Sequence, residues 1–221
     1  MNNIHIKRSV SKETPDDYPT PPWATRALIY KIIMNASERR YDSFKIDKKM
    51  IVREPCANRG LMVSPLKEFF ENVEGSDIHD YGYGFPVRDY LDVNEEFSNV
   101  NWTITNPPFK ISEEFVGKAL ETSTDGVAMF LRTTFLEGAG RFKRLFSHTP
   151  PTHIFQFSER VKIAKSGYDP NISSAISYAW FVWNMHRIHN NYDTRLSWIG
   201  PYKKMWEKET DHEILSRKET T

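Results

Sequence analysis

The stretch Trp102-Thr103-Ile104-Thr105-Asn106-Pro107-Pro108-Phe109 decides the fold. Trp102 to Thr105 is apolar and β-branched, the composition of a buried strand. Pro107 and Pro108 lack a backbone N–H and fix φ, so the chain can neither continue a sheet nor open an ordinary helix there. A strand therefore gives way at once to a rigid turn. That turn holds an amide (Asn106), a carbonyl (Pro107) and a ring (Phe109) at the strand's carboxyl end, the edge at which open α/β sheets bind ligands. Two acceptor oxygens beside a flat apolar surface suit an exocyclic amino group on a planar ring. Taken alone the tetrapeptide also reads as a structural turn, and its surroundings decide.

Outward from this point the chain alternates strand and helix. Upstream, Asp17 to Trp23 is stiffened by Pro19, Pro21 and Pro22, and it leads into an apolar-periodic helix over about 24–37 with Leu28, Ile29, Ile32 and Ile33 near one face. Met50-Ile51-Val52 opens a short strand ending at Glu54. Residues 61–72 suit a helix, 73–78 a second strand ending in Asp77, and the region of Pro86-Val87 a third ending at Asp89. Downstream, a helix is expected over about 112–121, a buried strand over 126–131, a basic helix around 141–146, and strands at 153–157 and 175–183. This order predicts an α/β fold with a mostly parallel sheet, helices on both faces and one antiparallel strand near the C-terminus. Residues 1–14 read as disordered, 15–200 as one domain, and 201–221 as a polar, solvated helix or tail.

A chain of 221 residues with 39% apolar content fits one domain with a sizeable core. No run reaches the roughly 18 apolar residues of a membrane span, and no signal peptide is legible. The single cysteine, Cys56, excludes an internal disulfide and fits a reducing cytoplasm. Net charge is +1, so composition does not announce a nucleic-acid binder. Its distribution is uneven, however. Residues 68–114 carry eleven acids against two bases, and residues 126–166 seven bases against two acids. The basic half suits phosphates, although a solvated surface has the same look. His186 and His189 lack the cysteine or acid neighbours of a metal site, and no metal is expected. Trp180 to Trp183 reads as a buried strand.

Three acids, Glu54, Asp77 and Asp89, fall at successive strand ends, which align along one edge of such a sheet. An acid after the second strand is placed to accept ribose hydroxyls. Between them, Glu54-Pro55-Cys56-Ala57-Asn58-Arg59-Gly60 forms a turn of mostly small residues that lets a ligand approach the backbone. In this order the elements resemble the S-adenosylmethionine-dependent amino-group DNA methyltransferases of the adenine-N6 branch, especially their small phage- and prophage-type members. Asn106 to Phe109 is similar to that family's catalytic tetrapeptide, residues 54–60 to its glycine-rich turn, and residues 18–23 to its methionine-binding segment. Ser76 to His79 and Val87 to Leu91 match its acid-bearing strand ends, and residues 130–137 and 179–183 its later strands. The resemblance implies a Rossmann-like class I methyltransferase fold over about residues 16–200.

It also implies roles. Tyr18, Thr20 and Pro21 would contact the methionine end of S-adenosylmethionine, flanked by Glu54, Pro55, Cys56, Ala57, Asn58 and Gly60. Asp77 would hold the ribose, Ile78 would pack on the adenine ring, and Asp89 with Tyr90 would meet the adenine edge. Asn106 and Pro107 would accept the two N–H bonds of the target amine, with Pro108 stiffening the turn and Phe109 stacking on the base. Apart from the resemblance, the basic Arg132, Arg141, Lys143 and Arg144 suit contacts to DNA phosphates, with a solvated basic helix face as the alternative reading. One departure stands out: Asn58 occupies a position at which the family has glycine. Asparagine tolerates left-handed backbone better than other residues with a Cβ, but its side chain is expected to crowd the cofactor. RNA adenine-N6 or guanine-N2 methylation, protein glutamine methylation, and a non-catalytic binding protein are the competing readings.

Overall fold

The computed structural model describes residues 17–37, 43–94, 96–163, 176–187 and 193–211. The expected disordered N-terminus and His189 lie outside the described residues. Seven strands form one sheet: β1 (Ile51–Glu54), β2 (Asn72–Gly75), β3 (Val100–Thr105), β4 (Ser123–Arg132), β5 (His153–Phe157), β6 (Tyr178–Asn184) and β7 (Arg195–Ile199). Their spatial order is β2-β1-β3-β4-β6-β5-β7. Every pairing is parallel except those of β6, which runs antiparallel to both β4 and β5. The expected mostly parallel sheet with an antiparallel strand near the C-terminus is present.

Period-2 alternation divides the central strands between two cores. Ala128 and Phe130 of β4, with Trp180 and Val182 of β6, join the cluster packed beneath α1 (Pro22–Ser37) and α2 (Val63–Lys67). Val127, Met129, Leu131, Phe181 and Trp183 join the opposite cluster with Phe115, Val116 and Ala119 of α3 (Ser112–Thr122). Both faces of the sheet are thus covered, which is why these strands read as continuous apolar runs. Trp102 pairs with Gly126 across β3 and β4, and a methyl group added at Gly126 would overlap the Trp102 ring.

α1 begins at Pro22, a residue suited to the first helical turn because its missing N–H has no intrahelical partner there anyway. It buries Leu28, Ile29 and Ile32, as its periodicity predicts. Arg26 is buried on the same helix and forms paired hydrogen bonds with Glu68 and with Asp211. Burial alone would raise the Glu68 carboxyl, but hydrogen bonds from Arg26 and Lys208 outweigh it and hold the group below its ordinary range.

Four expectations need correcting. The helix predicted over 61–72 is a single short turn, Val63–Lys67, because the chain must leave the helix before β2 begins at Asn72. The strand expected near Pro86-Val87 is a lone parallel bridge between Asp77 and Val87. The basic helix around 141–146 is a short helical turn, Ala139–Arg141, running into a π-helical turn, Phe142–Phe146. The segment after 201 is not simply solvated, since Asp211 is 2% exposed against Arg26. β7 was not anticipated. Its Leu196 and Trp198 point outward, and Trp198 is 61% exposed. No helix among the described residues is long and apolar enough to cross a membrane.

Candidate active site

From β1 the sheet order runs one way to β2 and the other way to β3, so the carboxyl ends of β1 and β3 flank a switch point, the place where open α/β sheets form a ligand crevice. Glu54 ends β1, and Thr105 ends β3. They join across the switch point: Thr105 Oγ1 donates to Glu54 Oε1 at 2.6 Å, and the Cys56 N–H donates to the same oxygen at 2.8 Å. Glu54 is fully buried, and its other oxygen, Oε2, has no hydrogen-bond partner among the described residues. Burial pushes its carboxyl from the ordinary 4.5 up to about 8, against the opposing pull of those two hydrogen bonds.

Beyond Glu54 the turn lies alongside residues 75–77. The Ser76 N–H donates to the Glu54 carbonyl, and the Ala57 N–H to the Ser76 carbonyl. Asn58 has φ 48°, the left-handed conformation expected for it, and Gly60 has φ 82°. Its side chain is engaged rather than loose. Nδ2 donates to Asp17 Oδ1 at 2.8 Å, and Oδ1 accepts from the Arg59 N–H at 2.7 Å. Arg59 adds two guanidinium hydrogen bonds to Asp17, at 2.7 and 2.8 Å. Phe85 covers the turn from above: a Cβ at Gly60 would meet its ring at 3.0 Å, and one at Gly75 at 2.8 Å.

Asp77 accepts the Asn58 N–H on Oδ2 and the His79 N–H on Oδ1, and burial raises its carboxyl in spite of both. Ile78 beside it is 41% exposed, an apolar face open to a ligand. Asp89 is half-buried and accepts the Leu91 N–H. Tyr90 is placed differently from expectation. Its ring packs against Phe97 and Phe115 in the second core, and its hydroxyl bonds Thr122 Oγ1 at 3.1 Å. The tyrosine side chain is therefore committed to the core.

At the end of β3 the Asn106 amide is oriented by one contact. Its Nδ2 donates to the Tyr18 carbonyl at 2.8 Å, while Oδ1 is buried with no hydrogen-bond partner among the described residues. A buried acceptor left unpaired costs roughly 1–3 kcal/mol, and such atoms call for a ligand or an ordered water. Pro108 holds φ −55° and ψ 127°, and a 3₁₀ turn, Phe109–Ile111, follows. Phe109 lies 6.1 Å from the Tyr18 ring and 6.2 Å from Tyr178. The Arg132 guanidinium covers Phe109 at 4.3 Å from its centroid, with Nε buried and without a hydrogen-bond partner among the described residues. Thr20 Oγ1 is another buried oxygen with no hydrogen-bond partner among the described residues, next to buried Pro21.

Asn106, Tyr18, Glu54, the 54–60 turn and Asp77 are thus brought together at one sheet edge. The other predicted cations are partly engaged elsewhere. Arg144 donates to both oxygens of Glu113, and chiefly for this reason the Glu113 carboxyl lies below its usual range. Arg141 donates to the carbonyls of Phe135 and Glu137 and lies over the Phe135 ring. Lys143 is exposed. Cys56 packs, half-buried, against the second core. His186 bonds Asp125 at 2.9 Å, and no metal-binding cluster occurs among the described residues.

Sequence reasoning missed Thr105, Asp17 and Arg59. Thr105 carried a signal, since it directly precedes Asn106 at the strand end. Asp17 and Arg59 meet only through the fold, 42 residues apart.

No protein-family model matches the chain, and no curated protein matches its sequence. Solved structures do match in fold. A protein assigned as a class I S-adenosylmethionine-dependent methyltransferase from Listeria monocytogenes aligns with TM-score 0.56 and 10% identity, over 81% of this chain and 65% of its own. A modification subunit assigned to a type I restriction enzyme of Vibrio vulnificus YJ016 aligns with TM-score 0.55 and 12% identity, over 89% of this chain and 51% of its own. A protein assigned as an RNA methyltransferase from Pyrococcus horikoshii aligns with TM-score 0.51 and 18% identity, over 76% of this chain and 87% of its own. The chain thus spans less than two thirds of the first two. The architecture is the Rossmann-like methyltransferase fold.

Proposed function

We propose that the protein transfers the methyl group of S-adenosylmethionine to the exocyclic N6 amine of adenine in DNA. The observation that carries this reading is Asn106: one side of its amide is fixed by the Tyr18 carbonyl, and the buried Oδ1 is left free to accept. With the Pro107 carbonyl as a second acceptor, an aromatic amine can donate both its N–H bonds. Its lone pair is then directed away from the ring plane, and the proton leaves once the nitrogen has been alkylated. No dedicated general base is needed. When bound, the cofactor supplies a methyl group already activated by its sulfonium, so positioning is the chain's main task.

The residues at the switch point fit that cofactor. Glu54 Oε2 and Thr20 Oγ1 are buried oxygens without partners among the described residues, suited to an ammonium or a hydroxyl. Asp77 uses one acceptor site of each oxygen on a backbone N–H and keeps capacity for ribose hydroxyls. Ile78 offers an apolar face to an adenine ring, and Asp89 follows 12 residues after Asp77 through the Val87 bridge. Tyr18, Pro21, Pro55, Cys56, Ala57, Asn58 and Gly60 would wall the methionine end. On the acceptor side Phe109 stacks on the base once Arg132 moves aside, a contact worth about 1–3 kcal/mol. A duplex target must first be flipped out of the helix. Lys143 and Arg144, on the exposed turn after residue 138, are the cations placed to meet phosphates.

DNA is favoured because a type I modification subunit shares the fold over 89% of this chain. RNA is the second reading, favoured by the Pyrococcus protein of which the chain spans 87%. The test incubates the protein and S-adenosylmethionine with unmethylated genomic DNA, total RNA or protein, and quantifies methylated nucleosides and glutamine by mass spectrometry. N6-methyladenine in DNA, absent with Asn106→Ala, supports the proposal. Product only on RNA or protein overturns the choice of substrate. Failure to bind S-adenosylmethionine by calorimetry overturns the cofactor.

A further inference from the structure

Asn58 stands where a glycine is expected, at φ 48°, and its N–H and both polar atoms of its side chain are engaged. Its N–H donates to Asp77, its Nδ2 to Asp17, and its Oδ1 accepts from Arg59. The Arg59 guanidinium grips the same Asp17 through both carboxylate oxygens. Asp17 is only 5% exposed. A buried carboxylate held by three hydrogen bonds from two adjacent residues is firmly placed, because charge-assisted and bidentate bonds are the strong ones. The residue next to Asp17 is Tyr18, whose carbonyl accepts the hydrogen bond from Asn106 Nδ2.

We infer that Asp17, Asn58 and Arg59 are positioning residues for the Asn106 amide, an assignment that rests on the proposed methyl transfer. The turn at residues 54–60 fixes Asp17, Asp17 fixes the Tyr18 carbonyl, and that carbonyl decides which way the amide faces. The amide has two orientations that exchange oxygen for nitrogen. Only the one with Nδ2 on Tyr18 presents Oδ1 as an acceptor for an amine. Glycine at position 58 would satisfy the backbone but would remove one of the three bonds to Asp17. The departure at position 58 thereby becomes part of the site, coupling the turn that bears the cofactor residues to the acceptor amide.

The test compares the unaltered protein with Asp17→Ala and Asn58→Gly, reading two quantities. The first is hydrogen exchange of the Asn106 side-chain NH₂ by NMR, its signal identified by loss in Asn106→Ala. Faster exchange in Asp17→Ala, and a smaller increase in Asn58→Gly, is expected, since the Tyr18 carbonyl is no longer held. This readout needs no turnover, so it stands even if methyl transfer is found on no polymer. The second is kinetic. With all substrates saturating, kcat falls about ten- to a hundredfold in Asp17→Ala, while the S-adenosylmethionine Kd moves by less than about threefold. Asn58→Gly keeps the Arg59–Asp17 pair and gives a folded variant if Asp17→Ala fails to fold. Unchanged Asn106 exchange in the folded variants overturns the assignment. So does a loss confined to cofactor affinity with kcat intact, which would make the cluster part of the cofactor pocket alone.

Discussion

Trp102 on β3 faces Gly126 on β4, and its indole fills the space that any side chain at 126 would need. The ring is fully buried and its Nε1 donates to the Lys45 carbonyl, so it cannot step aside without losing a buried hydrogen bond. The pair packs the core beneath β3, the strand that leads directly into Asn106.

Gly126→Ala is therefore expected to destabilise the protein by about 1–3 kcal/mol or more through overpacking. Urea unfolding would show a lower midpoint with unchanged slope. In a double-mutant cycle, Trp102→Leu should relieve part of the penalty, because the two residues are in contact. Strict additivity would contradict the packing account.

Asn106→Ala should leave the melting temperature nearly intact while lowering kcat on the order of 100- to 1000-fold, the usual effect of deleting one preorganised polar group. A residual rate close to that of the unaltered protein would remove Asn106 from the chemistry.

Glu54 gives a pH dependence of stability with a defined sign. Its folded carboxyl titrates near 8 and its unfolded one near 4.5, so between these values the native state holds a proton that the unfolded state has released. The stabilising contribution is complete below about pH 4.5 and is lost as pH rises through 8. Glu54→Gln should thus melt close to the unaltered protein at pH 4.5 and clearly above it at pH 8.5, with no cofactor present. An equal difference at both pH values would place the carboxyl in its ordinary range.

Arg26 and Asp211 tie the last described residues to α1. Removing one member of a buried ion pair costs roughly 3–5 kcal/mol, since the other charge stays buried. Arg26→Met should lower stability by that order, and Arg26→Met with Asp211→Leu should recover much of it. Thermal melts of the single and double variants check this.

Lys143 and Arg144 are predicted to act on nucleic-acid affinity. Lys143→Ala should reduce the slope of log K against log salt by about one if it meets a phosphate. Arg144→Ala should do less, because Glu113 already neutralises that guanidinium. Titration of a fluorescent duplex at several salt concentrations separates the two.

Much of this molecule was legible before its structure. The Asn106–Phe109 turn, the acids at 54 and 77, and the strands at 153–157 and about 175–183 (observed as Tyr178–Asn184) follow from local patterning, because prolines, β-branched runs and strand-end acids act over a few residues. What local pattern could not supply was pairing at long range. The clamp of Arg59 on Asp17 joins residues 42 apart, and Arg132 reaches Phe109 from the end of another strand. Tyr90 misled for a related reason. It follows a strand-end acid, but the helix beneath it offers Phe115 and Thr122, and the ring turns inward. β7 escaped notice because its outward residues are the apolar Leu196 and Trp198, the reverse of an ordinary half-buried strand.

That reversal gives the protein an optical handle. Of its six tryptophans, Trp23, Trp102, Trp180 and Trp183 are buried and Trp206 is half-covered, which leaves Trp198 as the strongly exposed emitter. Iodide added to the folded protein should quench chiefly the red-shifted emission of Trp198. Anything that settles on the β7 edge, whether a neighbouring molecule or a bound polymer, will then announce itself as a loss of quenching, with no label attached.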